Sequence, residues 1–192
     1  MKLSRPELQS FHGTTLPDLV GPGVRLLFVG INPGLWTAAV QAHFAKRGNR
    51  FYPALYRAGI TDRLIDASAG YRPEDLDHLK ARGIGITNVV PLATARADEL
   101  TSDQLVAGGQ ALVRRIRRIR PTVVAVLGVT AYRAAFARPK AAVGRQADTL
   151  GGAELWVAPN PSGLNAHAQL TDLAAAYREI AEAAGIAVLP QP

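Results

Sequence analysis

The chain has 192 residues, enough for one domain with its own core, and 48% of them are hydrophobic, as in ordinary globular proteins. Lys and Arg number 22 against 15 Asp and Glu, so the formal net charge is +7, which suits a polyanionic partner without proving one. Cysteine is absent, which excludes disulfides, thiolate zinc sites and iron–sulfur clusters.

Apolar runs and helical patterns alternate along the chain. Four short apolar runs predict buried strands at residues 24–30, 84–90, 122–128 and 153–159. Helical patterns are found near residues 50–59, 74–82, 101–120, 129–138 and 168–184. Thr101 and Gln104 form a capping-box pattern at the start of the third helix, and Pro121 ends it. This alternation predicts a parallel α/β fold.

The remaining segments suggest how the chain is organised. Residues 1–15 are a polar leader that we expect to be mobile, and residues 16–192 are expected to form a single domain. Residues 35–49 are predicted to be an irregular connection, long enough to be a lid or a pocket wall. No apolar run reaches the roughly 18 residues of a membrane span, and the first ten residues lack the apolar region of a signal peptide. We therefore expect a cytoplasmic protein that does not bind membranes.

Residues 30–34 (GINPG) are the most informative segment, because they directly follow the first predicted strand. Ligands of open α/β sheets bind at the carboxyl ends of strands, and Pro33 restricts the backbone of Asn32, which would present a stiffly held amide there. The same residue types also form ordinary strand-to-helix turns, and local chemistry alone favours that simpler interpretation.

Residues 159–165 (PNPSGLN) form a second turn, which follows the fourth predicted strand and opens at the same edge of the sheet. Leu164 is an apolar residue at the tip of this polar turn. It either folds back onto the last helix or points outward as a wedge. Apolar wedges unstack DNA bases, and an enzyme that acts on a base must first take that base out of the stack.

Together these segments resemble the mismatch-specific uracil-DNA glycosylases, relatives of thymine-DNA glycosylase. The matching pieces are residues 16–19 (LPDL), 22–23, 30–34 (GINPG), Phe44, 49–52 (NRFY), 83–88 (GIGITN), 108–109 and 160–164 (NPSGL). The resemblance implies a three-layer α/β fold with a central four-stranded parallel sheet flanked by helices. It also implies a monomeric base excision repair enzyme that uses no cofactor or metal. This enzyme would flip uracil out of a G·U pair in double-stranded DNA and hydrolyse its N-glycosidic bond.

By this similarity, Asn32 positions the water that attacks C1′ of the deoxyribose. An amide orients water but is too weak a base to deprotonate it, so backbone N–H groups must stabilise the departing uracil anion. Ile31 and Phe44 are implied to be pocket walls, with Phe44 stacking on the flipped base. Asn160 is implied to contact the base.

The second turn is implied to contact the DNA. Ser162 and Gly163 would support backbone contacts, and Leu164 would fill the gap left by the flipped nucleotide. Gly163 and Leu164 would also face the unpaired guanine, which explains a preference for mismatches. Asn165 is assigned to the same DNA-binding segment, although some relatives carry Arg just past the wedge.

Several positions depart from related sequences. Faster uracil-specific relatives carry Asp-Pro-Tyr at positions 32–34, and their Tyr excludes the methyl group of thymine. Gly34 removes that wall, so we predict activity on damaged or 5-substituted pyrimidines such as ethenocytosine, with thymine as a weaker candidate. Tyr52 stands where many members have Trp, which we interpret as a conservative change.

Several charged residues allow two interpretations. Asp98, after the second strand, is either a general base or an acid at a helix N-terminus, and the helix dipole favours the latter. The arginines of the third helix are interpreted as a solvated face rather than as phosphate contacts: Arg114, Arg115, Arg117, Arg118 and Arg120. The four histidines lack metal-ligand spacing, and only His43 and His167 are candidates for the DNA interface.

No lysine lies in either motif, so we expect a monofunctional glycosylase that does not cleave the strand. Two alternatives stay open. A nucleoside-processing α/β enzyme would not need the wedge. A non-catalytic nucleic-acid-binding module could use the same crevice, but the glycine-rich phosphate-binding motifs are missing.

Overall fold

The computed structural model describes residues 3–163, 165 and 168–190. Its strands are β1 (Leu26–Gly30), β2 (Ile84–Asn88), β3 (Val123–Leu127), β4 (Gly144–Leu150) and β5 (Ala153–Ala158). Its helices are α1 (Arg5–Gln9), α2 (Leu35–Val40), α3 (Phe51–Arg57), α4 (Pro73–Ala81), α5 (Ser102–Ile119), α6 (Val129–Phe136) and α7 (Leu170–Ala183). Within this part of the chain, none of the helices combines the length and the apolar character needed to cross a membrane.

The sheet has the strand order β2-β1-β3-β5-β4. Strands β2, β1, β3 and β5 are parallel, as predicted, whereas β4 pairs antiparallel with β5. The α/β class is therefore confirmed, but the expected strand count of four is wrong. The pattern did not reveal β4 because most of its side chains are exposed or half-buried and polar, so it lacks an apolar run.

Two apolar layers hold the helices against the sheet. Alternate side chains of β1 point to opposite faces, so Leu26 and Phe28 pack on one side while Leu27 and Val29 pack on the other. The first layer includes buried residues of α3, α4 and α7, and the second includes buried residues of α5 and α6. The sheet thus lies between two helical layers, which is the three-layer arrangement that was expected.

The capping box predicted at the start of the third helix is present at the start of α5. The Thr101 hydroxyl accepts from the Gln104 N–H at 3.2 Å, and the Gln104 side chain accepts from the Thr101 N–H at 2.8 Å. The prediction of an irregular segment at residues 35–49 is wrong for its first half, which forms α2. In the leader, residues 5–9 form α1, and Gly13 N–H donates to the carbonyl of Ala93 at 2.8 Å.

Candidate active site

A cavity of about 620 Å³ opens at the carboxyl ends of the parallel strands. Its lining includes most of the residues singled out from the sequence: Ile31, Asn32, Gly34, Phe44, Asp98, Asn160 and Ser162. The two turns predicted to converge at this edge therefore do meet there. Gly163 lies against the backbone of Gly48 and does not belong to this lining. Leu164 and His167 lie outside the described residues.

Asn32 is held in one orientation by its hydrogen bonds. Its Nδ2 donates to the carbonyl oxygens of Pro33 and Leu92, both at 3.1 Å, and to Thr94 Oγ1 at 2.7 Å. The Thr94 hydroxyl donates its own hydrogen to the Arg96 carbonyl, so it can only accept from Asn32. All three partners therefore require the nitrogen at this position, and Oδ1 is left as the acceptor that the side chain offers to the cavity.

Asn160 is oriented in the opposite sense. Its Oδ1 accepts from the Ser162 N–H at 2.9 Å, which ties up the acceptor within the second turn. Its backbone carbonyl accepts from Asn165 Nδ2 at 2.9 Å, which stiffens the same turn. Nδ2 of Asn160 has no hydrogen-bond partner in the described chain and is available as a donor. The cavity thus places an amide acceptor on one turn and an amide donor on the other.

Phe44 forms an aromatic wall of the cavity. Its φ of +56° is unusual for a bulky residue and signals a conformation held by the surroundings. One face of its ring stacks on the buried Phe51, with centroids 4.1 Å apart. Gly30 makes room for the ring edge, because a Cβ on Gly30 would lie 3.2 Å from Phe44 Cζ.

Asn88 is a cavity residue that the sequence analysis did not single out, and His43, a candidate for the DNA interface, is instead buried beside it. Asn88 ends β2 directly beside Gly30, which ends β1. His43 is 2% exposed, and its Nε2 lies 3.0 Å from the Pro17 carbonyl, so that nitrogen must be the protonated one. Nδ1 then accepts from Asn88 Nδ2 at 3.4 Å. Burial lowers the pKa of His43 to about 4, so the ring stays neutral at physiological pH.

Arg50 braces the second turn from the start of α3. Its guanidinium donates to the carbonyls of Ser162 at 2.7 Å and Asn165 at 2.8 Å, and also to that of Ala168. Its backbone N–H donates to the Pro161 carbonyl at 2.9 Å. The position of the turn is therefore fixed by one arginine more than 100 residues earlier in the chain.

Asp98 lies on the cavity rim in a short 3₁₀ turn, Ala97–Glu99, and not in the first turn of α5. Its carboxylate accepts from Arg96 at 3.0 and 2.5 Å, and its side chain is 63% exposed. Because this turn lies just before Thr101, the N-cap of α5, the interpretation as a helix N-terminal acid stays a prediction. A solvated carboxylate paired with arginine is also a poorer general base than a buried, unpaired one.

One arginine of α5 differs from its neighbours. Arg115 turns inward and donates to Asp18 at 3.3 Å, to the Asn88 carbonyl at 3.1 Å and to Thr87 Oγ1. The prediction of a solvated face is wrong for this residue, whereas the other four arginines of the run are exposed, as expected. Arg115 thereby supports the end of β2 beneath the cavity.

The described residues contain no cluster of His, Asp or Glu that could hold a metal ion. The cavity lining offers amides, an aromatic face and backbone groups, and its charged side chains are Lys46, Arg96 and Asp98. Such a lining binds a planar ligand with donors and acceptors along its edge.

A parallel sheet between two helical layers, with a polar cavity at its carboxyl edge, defines the class of α/β proteins that bind ligands at strand ends. Residues 17–183 match the model of the uracil DNA glycosylase superfamily. Because this match spans most of the chain, the protein belongs to that superfamily, whose activity is hydrolysis of N-glycosidic bonds. The family suspected from the sequence is thus confirmed at the level of the superfamily.

A solved structure has a similar fold. It is the solution NMR structure of a protein from Methanosarcina acetivorans that is proposed to be a uracil DNA glycosylase. The TM-score is 0.58 at 15% sequence identity, and the similarity covers 86% of this chain and 96% of that chain. At this identity the comparison concerns the fold.

Proposed function

We propose that this protein is a monofunctional glycosylase of base excision repair that removes uracil from G·U mismatches in double-stranded DNA. The observation that supports this most strongly is the pair of oppositely oriented amides, Asn32 and Asn160, beside the ring of Phe44 in one cavity. A pyrimidine is planar and has both donors and acceptors on its edge. The excess of basic residues over acidic ones, 22 to 15, suits a polyanionic substrate.

Asn32 would act by orienting the attacking water. Its nitrogen is held by three acceptors, so Oδ1 can accept a hydrogen bond from a water and aim the water oxygen at C1′. The C1′–N1 bond breaks with its electron pair going to uracil. The water oxygen bonds to C1′ and releases its proton to solvent. Because the amide takes no proton, the rate enhancement must come mainly from positioning and from stabilisation of the leaving group.

Asn160 would stabilise the departing base. Its free Nδ2–H can donate to a uracil carbonyl on which negative charge develops, and a donor aimed at developing charge is worth more in a water-poor cavity than in water. Phe44 would stack on the base, a contact worth about 1–3 kcal/mol per base on an aromatic ring. The base must leave the helix to reach this cavity, so we propose base flipping with Leu164 as the wedge.

Gly34 is the basis for a wider substrate range. A Cβ at Gly34 would meet no atom within 4 Å, so the space beside this residue is open. In the proposed complex this space lies next to C5 of the pyrimidine. We propose that damaged or 5-substituted pyrimidines such as ethenocytosine are also substrates, and that thymine opposite guanine is a slower one. Gly163 and Leu164 would face the unpaired guanine and favour mismatches.

A duplex with one labelled G·U pair tests the proposal. We expect uracil release from the duplex and none from free deoxyuridine. Binding without release would indicate a non-catalytic module, and release from the free nucleoside would indicate a nucleoside-processing enzyme.

Two substitutions then separate the candidate catalytic residues. Asn32→Ala is expected to lower the excision rate by at least about 100-fold, as for the loss of a key orienting or stabilising group. Asp98→Ala should keep most of the activity, because Asp98 is exposed and paired with Arg96. Gln110→Ala, on the exposed side of α5, is the matched amide control. The opposite ranking of the Asn32 and Asp98 variants would transfer the main role to the carboxylate.

A further inference from the structure

The buried Tyr52 and the half-buried Tyr71 meet the backbone of His43, the residue that precedes Phe44. The Tyr52 hydroxyl, from α3, lies 2.9 Å from the His43 carbonyl and 2.6 Å from the Tyr71 hydroxyl. The His43 N–H lies 3.2 Å from the same Tyr71 oxygen. Three separate segments of the chain therefore meet at the backbone N–H and C=O of one residue, His43.

The direction of these hydrogen bonds follows from the chemistry of the partners. The His43 N–H can only donate, so Tyr71 accepts from it, and the His43 carbonyl can only accept, so Tyr52 donates to it. The Tyr71 hydroxyl must then donate to Tyr52. The result is a closed ring in which both hydroxyls donate once and accept once, and hydrogen bonds in such a ring strengthen one another.

This ring of hydrogen bonds holds His43, on which the positions of Phe44 and Asn88 depend. Phe44, the next residue, keeps the unfavourable φ of +56°. The His43 side chain is held by Pro17 and in turn orients Asn88. Because both its backbone and its imidazole are held, His43 has little freedom to move. The same is true of Phe44, the aromatic wall that follows it.

We infer that Tyr52 and Tyr71 are positioning residues that hold Phe44 and Asn88 in place for a flipped base; this inference rests on the proposed function. Neither tyrosine needs to touch the substrate. The Tyr at position 52 is then more than a conservative replacement for the Trp of many relatives. An indole can donate a hydrogen bond but cannot accept one, so it could not close the ring.

The test compares Tyr52→Phe, Tyr71→Phe and the double variant in single-turnover excision of uracil from a G·U duplex. Each single variant opens the ring and leaves a buried polar group without its partner, so we expect about a tenfold loss in rate, which corresponds to about 1.4 kcal/mol. The double variant should be no slower than either single variant, because the ring is already open. Additive losses would overturn the inference.

A second measurement separates positioning from general damage to the fold. A duplex with a tetrahydrofuran abasic site has no base to stack on Phe44, so its affinity for the variants should stay within about twofold of wild type. A parallel loss of excision and of this affinity would mean that the tyrosines act only on folding, against the inference.

Tyr177→Phe is the matched control. Tyr177 is also fully buried, but its hydroxyl has no hydrogen-bond partner within the described part of the chain, so its removal should leave excision unchanged. If wild type excises uracil and the Tyr52 and Tyr71 variants behave like this control, the inference fails while the proposed function stands. A wild type that releases no uracil would instead refute the proposed function.

Discussion

Replacing Gly30 with alanine adds one methyl group at a crowded point beneath the cavity. A Cβ at this position would lie 2.5 Å from Asn88 Oδ1 and 3.2 Å from Phe44 Cζ. The first distance is shorter than a van der Waals contact, so Asn88 must move, and the second requires Phe44 to give way. Both side chains are held by other partners, which makes the movement costly.

The free-energy cost of the added methyl group can be taken from other overpacked protein cores. An extra methyl group in a well-packed region typically costs about 1–3 kcal/mol. If that cost falls on the productive arrangement of Asn88 and Phe44, the excision rate drops by about 5- to 150-fold. Urea unfolding would measure how much Gly30→Ala lowers the free energy of unfolding of the whole domain.

The assay is single-turnover excision from a G·U duplex, with Gly34→Ala as the matched control. Gly34 lies four residues further along the same turn, and a Cβ there meets nothing within 4 Å. We expect Gly34→Ala to match wild type on uracil, because uracil has no C5 substituent that would meet the added methyl group. Equal rates and equal unfolding midpoints for the Gly30 and Gly34 variants would refute the steric argument and with it the idea that Asn88 and Phe44 must stay in place.

Two further predictions concern substrate range and pH. Gly34→Tyr should keep uracil excision but lose activity on ethenocytosine and thymine, because the new ring fills the open space beside C5; unchanged activity on all three bases in a competition assay would contradict this. For His43, burial lowers the pKa from 6.5 to about 4, so between these values the unfolded chain binds more protons than the folded one. Stability should therefore be full above about pH 6.5 and fall by up to about 3 kcal/mol as the pH drops towards 4. Urea unfolding at several pH values would measure this fall, which His43→Gln should reduce; an identical pH profile for that variant would exclude His43 as the cause.

Local signals explain which elements were predictable from the sequence. The Thr101 capping box places both partners within four residues, so the pattern alone reveals the start of α5. Strand β4 depends on pairing with β5 and has no apolar pattern of its own. Arg115 lies three residues after the buried Leu112, on the same helix face, so helical periodicity could have separated it from the exposed arginines. Its partner Asp18, however, lies far away in the sequence.

The residues of the candidate site also divide into those with a local sequence signal and those that depend on tertiary contacts. Asn32 and Asn160 lie in turns that follow predicted strands, but it was the resemblance to a known family that assigned them a role. Asn88 lay inside the predicted strand 84–90, and its place in the cavity depends on where β2 ends and on the pairing of β2 with β1. The tyrosine ring joins positions 43, 52 and 71 through hydroxyl groups, and no periodic pattern reports such contacts.

The beginning of α3 has a consequence for how such a protein could change its substrate. Arg50 donates hydrogen bonds to the turn that contains Asn160, and the adjacent Phe51 stacks on the ring of Phe44. A shift of this one helical end would move the donor and the aromatic face together, in the same direction. New base preferences could thus arise, or be engineered, by substitutions in α3 that alter neither turn.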